Sequence, residues 1–140
     1  MAAAAPVRDL LIAAARQFNS GHYFEAHEVL EEGLEAVPDA MWELVVGLIQ
    51  IAVGYHKASQ ELWSGAARML ERGLTKVEPF AATGAGLNLD GVRTRVRTDI
   101  QHLRSGRFDA AAFRRHPPRW QPLSGERRPR SSPRPIGRAS

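Results

Sequence analysis

Setting Ala26 over Ala66 brings two copies of one pattern into line. Tyr23 then meets Trp63, Leu30 meets Leu70, Glu31 meets Glu71, Gly33 meets Gly73, Leu34 meets Leu74 and Val37 meets Val77, at a constant offset of 40 residues without a gap from 23 to 77. Apolar positions within each copy recur at helical spacing. A repeat of this period predicts two related helical hairpins, helix one with helix two and helix three with helix four. The chain is therefore expected to be all-α, a bundle of two stacked antiparallel hairpins. A fifth helix and a tail complete it.

The helix boundaries follow from local signals. Residues 7–19 carry Leu10, Leu11, Ala14 and Phe18 on one stripe, after Pro6 and before the breaker Asn19-Ser20-Gly21. A second helix is expected from about His22 to Ala36, ended by Pro38, with Asp39 as a cap for the next. The third, about Ala40 to Gln60, contains LVVGLIQIAVGY, apolar nearly all the way round, and reads as the buried spine. Gly47 and Gly54 share one face of it, open to close approach by a neighbour. A fourth helix is expected over Trp63–Val77. A fifth, over Asp90–Arg104, has Val92, Val96, Ile100 and Leu103 inward and Arg93, Arg95, Arg97 and Arg104 mostly outward. A short turn at 107–116 is laid on the body.

Composition narrows the chemistry. The 140 residues suffice for one domain with a moderate core and include no cysteine, which excludes disulfides, thiolate nucleophiles and Cys-ligated metal centres. A cysteine-free chain fits the cytoplasm. No apolar run approaches the roughly 20 residues of a membrane span, and the N-terminus lacks the pattern of a signal peptide. No phosphate-binding glycine loop and no nucleophile stand out, so catalytic residues are unassigned.

The basic balance is a property of the C-terminus. Residues 114–140 hold eight arginines and one glutamate, whereas residues 1–113 carry a net charge of −3. Six of the nine prolines lie between 117 and 135. Such a stretch has too little apolar content to offset its ordering entropy. The expected division is a helical domain over 1–116 and a disordered Arg/Pro-rich tail over 117–140, with Trp120 a docking point. The tail could meet nucleic acid or an anionic surface, but it lacks a reading motif and is better read as a solubilising extension.

The chemistry, if any, centres on His27 and Glu31. One helical turn apart, they lie about 40° from each other on the wheel. Phe24, Leu30 and Leu34 fall on the same side, so the pair is expected inside the apolar stripe. His27 aligns with Ala67 and is thus an addition to the repeat. His56 falls on the apolar stripe of helix three, with Gln50 nearby in the same helix. His27, Glu31 and His56 form a candidate three-ligand site for zinc, manganese, iron or nickel, with a position open to water. Glu28 borders it and, in a zincin-like arrangement, would be the general base. The competing expectation is a buried His27–Glu31 hydrogen bond, completed by Gln50 or Tyr55, that locks helix two onto helix three.

Gly21-x-Tyr23-x-x-Ala26 with Leu30, Gly33 and Pro38 resembles the second half of a tetratricopeptide repeat. FNSGHYFEAHEVLEE, followed by GLIQIAVGYHKA and GAARMLERGL, is similar to the domain-of-unknown-function 309 family over roughly residues 15–77. That family comprises small all-helical proteins of bacteria and plastids. Its hallmark is His-x-x-x-Glu-Glu-x-aromatic, here His27, Glu31, Glu32 and, where the family has Trp or Tyr, Leu34. The resemblance implies a helical fold and a suggested metal-binding role at this motif.

Two functions of different class are therefore expected. One is a small metal-binding protein, with metal-dependent hydrolysis as the reaction class an open ligand position would allow. The other is a helical interaction module that meets a protein partner or a second copy of itself.

Overall fold

The computed structural model describes residues 4–123, with side chains from residue 7 onward. Six helices are described: α1 (Ala4–Asn19), α2 (Tyr23–Gly33), α3 (Asp39–Ser59), α4 (Trp63–Val77), α5 (Leu89–Arg104) and α6 (Ala110–Arg115). Single 3-10 turns at Leu34–Ala36 and Gly84–Gly86 link α2 to α3 and α4 to α5. The bundle is all-α among the described residues, as the periodicity predicts. No helix among them is long and apolar enough to cross a membrane.

The repeat extends to the hydrogen bonding of the hairpin turns. At the end of α1, Gly21 N–H donates to Phe18 O at 3.0 Å and His22 N–H to Gln17 O at 2.9 Å. Forty positions later, Glu61 N–H donates to Ala58 O at 3.0 Å and Leu62 N–H to Lys57 O at 2.9 Å. Both are Schellman closures, which satisfy the last carbonyls of a helix and require a left-handed residue. Gly21 supplies it with φ 83°, and Glu61 is forced into it at φ 63°. The residues that enter α2 and α4, His22 and Leu62, share φ −93° with ψ 70° and 74°. The duplication thus extends back to residue 17, beyond the point where side chains reveal it.

The spine helix α3 is as expected, with Leu44, Val45, Leu48, Ile51 and Ala52 fully buried. Its glycines admit α4. A Cβ on Gly73 would lie 2.6 Å from Gly47 O and 2.7 Å from Ile51 Cγ1, and one on Gly54 would lie 2.8 Å from Leu70 Cγ. The two backbones meet almost without side chains between them, which brings the apolar walls of both helices together.

Three local expectations are corrected. Asp39 does not cap α3: Pro38 is the N-cap, no side chain caps the helix, and Asp39 is its first residue, where its charge faces the helix dipole. Arg93 does not point outward. It is buried and donates to Val77 O at 3.3 Å, Phe80 O at 3.0 Å and Asp90 Oδ1 at 2.7 Å, closing the exposed carbonyl end of α4. The body also runs past residue 116. Trp120 is buried and stacks on Phe18 with ring centroids 4.0 Å apart and planes 8° from parallel. Leu87 and Pro122 form an antiparallel bridge, and Leu123 N–H donates to Gly86 O at 2.9 Å. The proposed docking point is therefore the centre of a short strap over α1. The rest of the expected tail, 124–140, lies outside the described residues.

Candidate functional site

The core-facing residues of α2 are Tyr23, Ala26 and Leu30. This centres the buried stripe on Ala26–Leu30, so His27 falls at its edge and Glu31 about 120° from its middle. The side chain of His27 accordingly keeps 14% of its accessible surface and that of Glu31 keeps 57%. The expectation that both lie inside the apolar stripe is corrected: Glu31 is a surface residue. Phe24, expected on the same inward side, is 42% exposed. Glu28 is exposed as well.

His27 is oriented by its own helix. Its Nδ1 lies 3.0 Å from Phe24 O. A carbonyl only accepts, so Nδ1 carries the proton and Nε2 is turned outward. Nε2 lies 3.3 Å from Glu31 Oε1, which is long for a charge-assisted hydrogen bond. The ring of Phe24 touches both histidines, with centroids 5.0 Å from His27 and 5.1 Å from His56. His56 is thus brought to the same seam between α2 and α3, but to the phenyl ring and not to Glu31. Among the described residues no group of three His, Asp or Glu side chains is close enough to hold a metal ion. The expected three-ligand group of His27, Glu31 and His56 is thus not assembled among the described residues.

The hydrogen-bond network expected around this pair is also absent among the described residues. Gln50 Oε1 is buried without a hydrogen-bond partner there. Tyr55 is committed elsewhere: its hydroxyl donates to Asp99 Oδ2 at 2.6 Å. The same oxygen accepts from Arg95 Nε at 2.8 Å, and a terminal nitrogen of Arg95 donates to His116 O at 2.7 Å. Asp99 is 5% exposed, so its charge is stabilised by these two donors and not by water. Burial pushes the Tyr55 hydroxyl well above the usual phenol range, and the Asp99 charge adds to it. Burial also pushes Tyr23 up to about 12, with Arg95 opposing and Asp99 adding.

This buried network escaped the sequence reading. The signal was present: Asp99 falls at i+3 from Val96 and i−4 from Leu103, a carboxylate on the inward face of α5. Its partner Tyr55 is 44 positions away, and no local pattern connects them.

Fold and site together define a two-hairpin helical repeat protein with an imidazole–carboxylate pair at the edge of its second helix. Residues 11–69 match the family model described as Domain of unknown function (DUF309). The match holds the tail of α1, all of α2 and α3 and the first half of α4, and with them His27, Glu31 and His56. The Asp99 network and the Trp120 strap draw on segments beyond it. No curated protein matches the chain.

Proposed function

We propose that the protein is a non-enzymatic helical-repeat module that binds a positively charged protein segment on its α2–α3 face, with His27 and Glu31 a structural pair within that face. The carrying observation is the α2–α3 face, which exposes two large rings: Phe24, seated beside His56 near the end of α3, and Trp42, near the start of α3, are 42% and 41% exposed. No Lys or Arg occurs between Arg16 and Lys57, while seven carboxylates between Glu25 and Glu43 are all exposed. Rings set in a field of one sign suit a partner that brings both an apolar anchor and basic residues. A second copy docked face to face would set like charge against like, which disfavours the homodimer on this surface. The reading takes the chain to be cytoplasmic, in keeping with its cysteine-free composition.

The test is a synthetic amphipathic Leu/Arg peptide titrated into isotope-labelled full chain. The expected result is amide shifts on α2 and α3 around Phe24 and Trp42, with affinity reduced roughly tenfold in the Phe24→Ala/Trp42→Ala variant. Shifts on another face, or unchanged affinity in the variant, would overturn the reading.

The geometry of His27 favours a second reading, a divalent ion held by His27 and Glu31. Nε2 and Oε1 are 3.3 Å apart, the spacing of two ligands each about 2.0–2.1 Å from one tetrahedral ion. The Nδ1 contact with Phe24 O orients the ring as second-shell carbonyls orient metal-bound imidazoles. Zinc, manganese, iron or nickel would take this donor pair, with the remaining ligands from outside it. No hydrolytic step follows from two donors. Metal content is measured by mass spectrometry on protein purified without chelator. Metal lost in His27→Ala and retained in His56→Ala supports this reading. No uptake by the parent after adding zinc, manganese or iron sinks it.

A further inference from the structure

We propose that the cavity between α5 and α6 is a binding site for a small aromatic carboxylate. It lies beyond the segment that carries the family domain and is independent of the α2–α3 face. Its volume is about 250 Å³, below the usual range for drug-sized ligands and suited to a single ring with one charged group.

Two phenyl rings form its apolar wall. Phe108 and Phe113 lie 5.4 Å apart with planes inclined at 51°, and Phe113 is 8% exposed. A flat hydrocarbon body has edge and face contacts available there.

The polar groups around the wall sort by what they have left to offer. Asp99 is committed to Tyr55 and Arg95. The Asp109 carboxylate caps α6, accepting from Ala111 N at 3.0 Å and Ala112 N at 3.1 Å. Both carboxylates at the cavity are therefore engaged by donors of the protein itself. The donor side retains its capacity. Arg107 uses only Nε, at 3.3 Å from Ser105 Oγ, and its two terminal nitrogens remain. His102 and His116 are hydrogen-bonded through their carbonyls, to Ser105 Oγ at 3.3 Å and to Arg95 at 2.7 Å. Both residues line the cavity. The planar guanidinium of Arg107, on the same lining as His102 and His116, can pair with the two oxygens of a carboxylate. The apolar wall selects an anion with a ring over a bare oxyanion.

The experiment uses the full chain and benzoate as the probe, followed by the ring resonances of His102 and His116 and the amides of 107–116. Benzamide, inorganic phosphate and phenyl phosphate are titrated in parallel. The expected result is a saturable shift confined to the cavity with Kd on the order of 1 mM. Benzamide and inorganic phosphate should bind at least about tenfold more weakly, the first lacking the charge and the second the ring. Arg107→Ala should lower benzoate affinity about tenfold. Arg107 is exposed, so this variant retains the fold. Phenyl phosphate binding more tightly than benzoate would reassign the site to aryl phosphates and overturn the carboxylate assignment. Non-saturating shifts, shifts elsewhere, or equal affinity for benzamide would overturn the site itself, without any variant being needed.

Discussion

The side-chain amide of Asn19 pairs with the backbone of Trp120 in both directions: Nδ2 donates to Trp120 O at 2.9 Å, and Oδ1 accepts from Trp120 N–H at 2.8 Å. Two residues 101 positions apart are joined as if they were neighbours in a sheet. The clasp holds the indole flat on Phe18. Asn19→Ala should leave two backbone groups unpaired and cost about 1–3 kcal/mol. Denaturant unfolding measures the loss. A red-shifted tryptophan emission before global unfolding would show the strap lifting first, and unchanged stability would refute the clasp.

Glu61 occupies the left-handed position that glycine fills in the first hairpin. Its side chain is exposed. Glu61→Gly should therefore stabilise the protein, by about 0.5–1 kcal/mol, because the steric cost of a β-carbon at positive φ exceeds the entropy glycine adds to the unfolded chain. A rise in denaturation midpoint is the expected result, and a fall would contradict it.

Equivalent glycines of the two repeats should respond differently to alanine. At Gly73 the new methyl meets the backbone oxygen of Gly47 at 2.6 Å, which cannot yield without separating α3 from α4. At Gly33 it meets the tip of the Leu10 side chain, also at 2.6 Å, which can rotate away. Gly73→Ala should cost roughly 1–3 kcal/mol. Gly33→Ala should cost under about 1 kcal/mol, since alanine is also the better helix former. Equal effects would mean that α3 and α4 are less tightly seated than the geometry states.

Alkaline pH should destabilise the fold through its buried phenols. Tyr23 holds its proton up to about 12 when folded, whereas an unfolded tyrosine loses it near 10.0. A folded pKa raised in this way contributes stability that is fully present below the unfolded value and is lost as pH rises through the window. Melting temperature should therefore fall between about pH 10 and 12. Tyr23→Phe should fall less steeply there. Parallel curves for parent and variant would argue against the burial of this hydroxyl.

Legibility varied with the range of the determining interaction. The bounds of α4 are those read from Trp63 and Pro79, because start and stop signals lie within the helix and its flanks. The Gly47–Gly54 face was legible for the same reason, although its partner α4 was not named by it. His27 and Glu31 are neighbours as their spacing requires. Their burial was misjudged, because spacing fixes angles between residues and not which direction points inward. That direction is set by Tyr23, Ala26 and Leu30 packing on α1 and α3. Trp120 sits in a Pro/Arg-rich stretch whose average composition opposes order, and one stacked ring with one amide clasp overrides the average. The inward position of Asp99 was legible from its spacing, but the distant partners of Arg93 and Asp99 were not: they are the carbonyls of Val77 and Phe80 and the Tyr55 hydroxyl, brought in by tertiary packing.

The Phe18–Trp120 stack also orders events along the chain in time. A hairpin made of α1 and α2 is complete as sequence by residue 33, yet one flank of its central ring stays wet until Trp120 arrives. Closing a loop of that length carries a large entropic cost, recovered only when the indole docks. On the ribosome, the first hairpin to emerge is thus the last to be sealed.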